Sequence, residues 1–555
     1  MRKANTTLSF TKKAFCVLLV FMIYFGFLDI ARQPSQYFAS VQSTTPFINT
    51  EDKGFSFQYA YTKTAFRSIQ ISCESIQSFC ITEVEKVASM DWLKEWKVHF
   101  TATPYASKNS LHGTVSMYLL VNGDTFVHYN IVNDGEIGYP IRLRAVIWDS
   151  QEQPGNIILH FPFEYRQDGS IQVKRSESAV TGNQMCYIQV NRYHQATNSF
   201  LFSPYFHYSV RPNGLVERAD SFFSSESFWK ENVFSIEQRM RVEGKHIGES
   251  WFIASHHPIM QIESAVTQKY LATMDFNNKK IFTRNGFYYK SNQEGFLGET
   301  KNTYYWDYSM YGMKSLMDFY NNGSETLPYD LSIISLYALL KKQNKEGYWS
   351  NQTISLWLQE KYGIRNSYYD TRFNIDAGLF ALQMYEKFGI PEALHLAKKQ
   401  GNLLMSFIQK GYTIPTRSYG YLICDYICFE QPTIKTHASL NHLLNEALFL
   451  RQLSRLTQEE CFANSAKRIE NGIKATEQLW YNKKSRDLNY CIDSNFKTSR
   501  TDYPLLTYHD FLRLIRFHEQ YTKEDLSVLI RLASFKENWL VKKNLIKVRK
   551  ITKTE

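Results

Sequence analysis

The sequence predicts a multidomain α+β protein: an N-terminal transmembrane helix, an antiparallel β-sandwich or barrel domain, and a helical C-terminal domain. Three observations predict it. An apolar run follows four positive charges near the N-terminus. Strand-like segments separated by tight turns follow from about residue 53. From about Pro328 the apolar residues recur at spacings of three and four, the period of a helix face. A chain of 555 residues has room for two or three domains of ordinary size.

Arg2, Lys3, Lys12 and Lys13 precede the apolar run Ala14 to Leu28, the order of a positive n-region and an h-region. The positive-inside rule keeps those charges in the cytoplasm and sends the following chain across the membrane. The flank from Asp29 to Pro34 is a poor cleavage site, so the segment reads as an uncleaved signal-anchor. We therefore expect a cytoplasmic tail at 1–13, a membrane span at 14–31 and a Ser/Thr/Gln/Pro-rich stalk at 32–52. That describes a single-pass membrane protein with its bulk outside the cytoplasm, at the cell surface or in the Golgi lumen. Of eight cysteines, Cys16 falls in the apolar run. Cys73 with Cys80, and Cys424 with Cys428, have the spacing of small disulfide loops, and buried free thiols are the competing reading.

Val115, Met117, Leu119 and Val121 alternate with small or polar residues, Asn122-Gly123 is a hairpin turn, and Phe126 to Val132 is the return strand. Further strands are expected at Ile141 to Trp148, Ile157 to Phe161, Ile171 to Val173 and Tyr187 to Val190, with a turn at Asp168-Gly169. This β domain is placed at 53–265, a connecting segment at 266–327 and the helical domain at 328–545. One helix carries Ile375, Leu379 and Leu382 in a row, and Gly389 and Pro391 end it and begin the next. Others are expected from Ala438 to Leu456, around Phe462 to Ile473, from Pro504 to Phe517 and from Lys523 to Leu540. Periodicity does not choose between a bundle and an α/α toroid.

Apolar residues at 44% and charged residues at 21% exclude a largely disordered chain. Aromatic residues at 15% fit either large cores or a sugar cleft, because pyranose C–H faces stack on rings. A net charge of +11 suits nucleic acid, an anionic membrane or an acidic polymer. No nucleic-acid motif is present, and an anionic polysaccharide is a partner that fits the charge outside the tail. Part of the charge is a basic tail, Lys542 to Lys553, that reads as solvated. His437 and His442 are five apart rather than the four that aligns two ligands on a helix, and His256-His257 adjoins Pro258. No metal motif appears, so neither a catalytic metal nor a cofactor is expected. A homodimer is compatible with the sequence.

Three segments, in order, carry a resemblance. The first is Ser367-Tyr368-Tyr369-Asp370, leading into a helix from Phe373 to Phe388. The second is Glu430-Gln431-Pro432-Thr433, then Ser439-Leu440-Asn441. The third is Leu488-Asn489-Tyr490, then Asp502-Tyr503-Pro504 and Tyr508-His509. Together they resemble the C-terminal domain of the D-glucuronyl C5-epimerase family over about residues 365–515. The resemblance implies an α/α toroid behind β domains. It implies active-site roles for Tyr490, Tyr503 and Glu430 and puts Gln431, Tyr368, Tyr369 and Asn441 in the matched segments; these, with Arg372 and Arg500, are the expected substrate contacts. Three positions depart from the family. Gln431 stands where the family has Tyr, Asp493 where it has Arg, and Pro504 where it has His.

C5 epimerisation removes the proton beside a uronate carboxylate and returns one to the opposite face. It needs a base, an acid, and positive charge at the carboxylate. Tyr490 and Tyr503 are the expected opposite-face pair, Glu430 a third acid/base, and Arg372, Arg500 or Lys435 the carboxylate holder. In a chain with 37 tyrosines a purely structural role competes for each. Two further readings stay open. One is a lyase or hydrolase on the same scaffold, with Asp307, Asp370 or Asp376 in play. The other is a polysaccharide-binding protein without chemistry, which Gln431 favours.

Overall fold

The computed structural model describes residues 47–51, 54–58, 68–72, 76–105 and 109–149, most of 156–320, and 325–547 apart from 352, 353 and 366. Sheets come first and helices follow. In spatial order, one antiparallel sheet runs Phe47–Glu51, Gly54–Gln58, Ser68–Ser72, Tyr139–Asp149, Val233–Val242 and Phe223–Lys230. A larger sheet centres on His246–Ser255, which pairs with Thr125–Asn133, Gln195–Phe202 and Phe206–Val210. Strand side chains alternate between faces, so the larger sheet serves two cores. Phe252 and Ala254 join Met117, Val127, Ile141 and Met240 between the sheets. Trp251 and Ile253 point the other way, into a core shared with the helices. The architecture is three layers: sheet, sheet, helices.

The turn at Asn122-Gly123 forms as expected, with Gly123 at φ 89 and its N–H donating to the Leu120 carbonyl. The segment 266–327 is more than a connection. Its strands Lys280–Thr283, Phe287–Ser291 and Thr303–Trp306 extend the larger sheet. Cys424 and Cys428 are free thiols, both buried.

The expected transmembrane helix is corrected. No helix among the described residues is long and apolar enough to cross a membrane. The 19-residue helix Pro391–Gln409, for instance, carries Glu392, Lys398 and Lys399. Residues 14–31, where the span was expected, lie outside the described residues, as does the Asp168-Gly169 turn. The signal-anchor and the cell-surface or Golgi placement rested on that span, and no described helix supports them.

From Tyr311 onward the helices among the described residues are α1 (Tyr311–Met317), α2 (Leu327–Lys342), α3 (Leu356–Tyr362), α4 (Thr371–Phe388), α5 (Pro391–Gln409), α6 (Leu440–Thr457), α7 (Glu460–Ala475), α8 (Glu477–Trp480), α9 (Leu506–Tyr521) and α10 (Ser527–Lys542). Gly389, at φ 67, ends α4, and Pro391 opens α5. α2 is buried from Leu327 to Leu339, as a helix wedged between sheet and helices must be. It is fastened to the sheet by the Tyr337 phenol donating to Glu95 and by Lys341 Nζ, 3.2 Å from the same carboxylate. α1, α4, α6 and α9 pack in turn as an inner row, and α5, α7 and α10 pack behind α4, α6 and α9. The row bends back on itself, since α1 and α9 line a common groove of about 910 Å³. Where α4 crosses its neighbours Gly378 is required: a Cβ there would lie 2.4 Å from Gln400 Oε1 and 2.6 Å from Phe449 Cε2.

A buried charge network joins the inner row. Arg372 on α4 donates from Nε to Asp376 at 2.8 Å and from Nη2 to Asp510 of α9 at 3.2 Å. Its Nη1 reaches the Asn441 carbonyl of α6 at 3.0 Å. Asp376 accepts from Lys314 of α1 at 2.8 Å and from Asn445 of α6 at 3.1 Å. Burial alone would push the Asp376 carboxyl up, but Arg372 and Lys314 outweigh it and hold it well below the usual range. Removing one partner of such a pair leaves an uncompensated buried charge. We expect Arg372→Met to cost about 3–5 kcal/mol, read as a lowered urea midpoint. An unchanged midpoint would strip the network of this structural role.

Candidate active site

Short strand pairings gather residues from distant loops. Asp370 pairs with Tyr426, Ser439 with Cys491, and Cys491 with Ser499. Asp370 caps the N-terminus of α4, its side chain accepting the Phe373 N–H. Ser439 precedes α6, and Tyr503 lies just before α9. The N-terminal ends of α4, α6 and α9 therefore meet at one place, and their dipoles favour negative charge there.

His437 occupies the middle, fully buried. Trp357 and Tyr426 lie 5.0 and 5.7 Å from its ring, Tyr362 stacks at 5.9 Å, and Tyr490 stands at 5.8 Å. The Tyr362 hydroxyl accepts the His437 backbone N–H at 3.2 Å and lies 3.0 Å from Nδ1. On the other side of the ring, Nε2 lies 3.1 Å from Asp425 Oδ2 without the alignment of a hydrogen bond. An imidazole within hydrogen-bond distance of a hydroxyl is placed to exchange a proton with it. Asp425 Oδ1 accepts the Ser439 N–H at 2.8 Å and lies 3.6 Å from His442 Nδ1. Burial pushes the Asp425 carboxyl up, but His442 and His437 outweigh it and hold it low. Asp370, also buried, is pushed up to about 7 by desolvation, against the pull of the Phe373 amide.

Tyr490 and Tyr503 come together, with ring centroids 5.4 Å apart and planes perpendicular. Rings in contact leave no room for a pyranose between them, so the two phenols form one wall rather than two faces. Tyr490 is 6% exposed and Tyr503 47%. Burial raises both phenols, with the Asp425 charge adding to Tyr490 and Arg500 opposing the rise at Tyr503. Arg500 has a left-handed backbone, φ 63, and its guanidinium lies 3.9 Å over the Trp357 ring. Tyr368 is buried against Tyr426 at 5.7 Å.

The remaining expected residues sit elsewhere. Arg372 commits its guanidinium to Asp376 and Asp510 and is not available to a substrate carboxylate. Tyr369 is wholly buried and packs on Phe407. Asn441 is buried with its carbonyl on Arg372. Glu430 and Gln431 are exposed on the loop after Cys428. The Gln431 N–H donates to the Cys428 carbonyl, and the Glu430 charge acts on Tyr348. Asp307 accepts from the Ser309 hydroxyl, and Asp376 belongs to the charge network. Sequence reasoning missed Asp425, Trp357, Tyr362 and Tyr426. It met His437 only as a failed metal spacing. Asp425 meets His437 because a hairpin folds the chain back, the Asp425 N–H donating to the His437 carbonyl at 2.8 Å. Local spacing carries no trace of that.

No protein-family model matches the chain, and no curated protein matches it in sequence. It overlays in part on a D-mannose isomerase, with TM-score 0.30 and 14% identity, covering 42% of this chain and 60% of that one. A GH76 α-mannanase of Bacteroides thetaiotaomicron gives TM-score 0.34 and 12% identity over 49% of this chain and 66% of that one. A cellobiose 2-epimerase from Bacillus thermoamylovorans gives 0.34 and 12% over 44% and 61%. The chain spans under two thirds of each of these proteins. At such TM-scores the overlays assign neither fold nor activity, and none of the three is described as acting on a uronic acid.

Two buried groups make stability depend on pH in opposite senses. Burial pulls His442 down to about 4, with Asp425 opposing. Unfolded, it takes up a proton near ~6.5, so the unfolded chain gains the extra proton and stability falls as pH drops from there to about 4. Asp370 keeps its proton in the folded state to about 7. Unfolded, it loses it near ~3.9, so its contribution falls as pH rises across that window. We expect His442→Gln to flatten the first slope and Asp370→Asn, which preserves the helix cap, to flatten the second. Urea unfolding across pH measures both.

Proposed function

We propose that this protein is a carbohydrate epimerase that acts on uronic-acid residues of an anionic polysaccharide, removing and returning the proton at C5. One observation carries the reading. Arg500 is exposed, lies on the face of Trp357 beside Tyr503, and makes no ion pair among the described residues. It stands where three helix N-termini converge. A uronate carboxylate fits that setting, with its sugar ring against the aromatic residues. Removal of the C5 proton adds negative charge to that carboxylate, and fixed positive charge lowers the barrier.

Tyr490, kept protonated by burial and by Asp425, suits the acid. Tyr503, half exposed and beside Arg500, shares that wall and with Tyr490 serves one face of the sugar. The base on the opposite face is assigned to Tyr362, which passes its own proton to His437 and takes the C5 proton, while Tyr490 returns one from its side. Glu430 and Gln431, exposed on their own loop, fit the edge of a polymer path rather than the proton transfers.

A second reading has its own support. Asp370 is pushed up to about 7 while Asp425 is held low, and carboxyl groups driven apart in this way suit the acid and base of glycoside hydrolysis. The experiment that separates the readings is incubation of glucuronan- and heparosan-like polymers in heavy water. We expect deuterium at C5 without chain cleavage. Tyr490→Phe and Tyr503→Phe should each slow exchange by roughly 100-fold or more, and Arg500→Met should raise KM more than it lowers kcat. Release of reducing ends without exchange transfers the assignment to hydrolysis. No exchange with any uronic polymer sinks the epimerase reading.

A further inference from the structure

Away from that site, the hairpin turn of the larger sheet holds a cluster with the donors of a metal centre. Thr125 pairs with Ala254, so strand register sets Asp124 beside the chain that leaves Ser255 into His256 and His257. One ligand atom from each of Asp124, His256 and His257 lies within 4.8 Å of the others. His257 Nε2 is 3.7 Å from Asp124 Oδ2, while its Nδ1 is taken by Ser255 Oγ at 3.1 Å. A zinc-bound imidazole is held in the same way, its second nitrogen fixed by a hydrogen bond. Glycine suits the turn, because Gly123 has φ 89 and a Cβ there would lie 3.1 Å from His256 Cε1.

A second carboxylate, from α2, is linked to Asp124 through Asn122. Asn122 Nδ2 donates to Asp124 Oδ2 and to Asp330 Oδ1, each at 2.8 Å. Asp124 and Asp330 are both fully buried. Asp124 Oδ1 and Asp330 Oδ2 are buried without a hydrogen-bond partner among the described residues. Two carboxyls sharing one amide far from solvent repel each other, and a divalent cation removes that repulsion.

We propose that Asp124, His256 and His257 bind a divalent transition-metal ion of the zinc class, with Asp330 held behind Asp124 by the Asn122 amide. Two imidazoles with a carboxylate select zinc over the oxygen-seeking magnesium and calcium. Tetrahedral zinc needs donor atoms about 3.3 Å apart, and the half-exposed histidine rings reach that by small rotations. The ion ties the hairpin turn to the end of the central strand and, through Asn122, to the first turn of α2. Its role is to hold the sheet against the helices rather than to react.

The test uses the full chain, without an affinity tag, stripped with chelator and titrated calorimetrically with Zn²⁺, Mg²⁺ and Ca²⁺. One Zn²⁺ per chain is expected, with a rise in Tm on loading. The double variant His256→Gln, His257→Gln alters exposed and half-exposed rings only. It should keep the circular dichroism and Tm of the zinc-free protein and weaken zinc binding by roughly 100-fold. Saturable zinc uptake that the double variant retains would overturn the proposal, as would the absence of saturable uptake. Equal uptake of Mg²⁺ or Ca²⁺, unaffected by the histidine changes, would put the ion on the carboxylates alone and overturn it too.

Discussion

Arg372 lies buried between Asp376 on its own helix and Asp510 on α9, and through Asp376 it is tied to Lys314 on α1 and Asn445 on α6. Four helices of the inner row share this one cluster. A buried ion pair is a weak source of net stability, because desolvation of the charges offsets their attraction. What it supplies here is geometry. A shift of one helix along another would leave a charge unpaired in a low-dielectric interior, so the helices are held in one relative position.

That position determines what meets at the N-terminal ends of the row. Asp370, Ser439 and Tyr503 stand at the starts of α4, α6 and α9 and come from segments far apart in the chain. The backbone ends supply positive potential, and the side chains supply phenols, imidazoles and carboxyls. Burial then differentiates groups of the same type. Asp425 is held as a carboxylate by two histidines, whereas Asp370 keeps its proton to near neutrality. Tyr490 is sealed and Tyr503 is open. A site with this range of proton affinities is suited to acid/base chemistry on a bound sugar.

The larger sheet is the middle layer, and its central strands Leu111–Leu120, Thr125–Asn133 and His246–Ser255 are buried on both faces along most of their length. This explains why Tyr118 and Leu120, which alternate with Met117 and Leu119, are themselves core residues. An alternating pattern suggests one dry and one wet face. Here the second dry face faces helices that the strand sequence does not announce. The same contact places Asp124 and Asp330 together, one from a turn of the sheet and one from α2.

The sequence by itself determined the order of sheet before helices, the Asn122-Gly123 turn, and the break at Gly389 and Pro391. It also singled out Tyr490 and Tyr503, which the fold brings into contact. Those features are local, since turn chemistry, period and capping act over a few residues. The interior role of Arg372, the exposure of Glu430 and Gln431, the meeting of Asp425 with His437, and the Asp124–His257 cluster were decided only by tertiary structure. Each depends on contacts between residues brought together by strand register and helix packing, and burial and charge environment exist only once those contacts have formed.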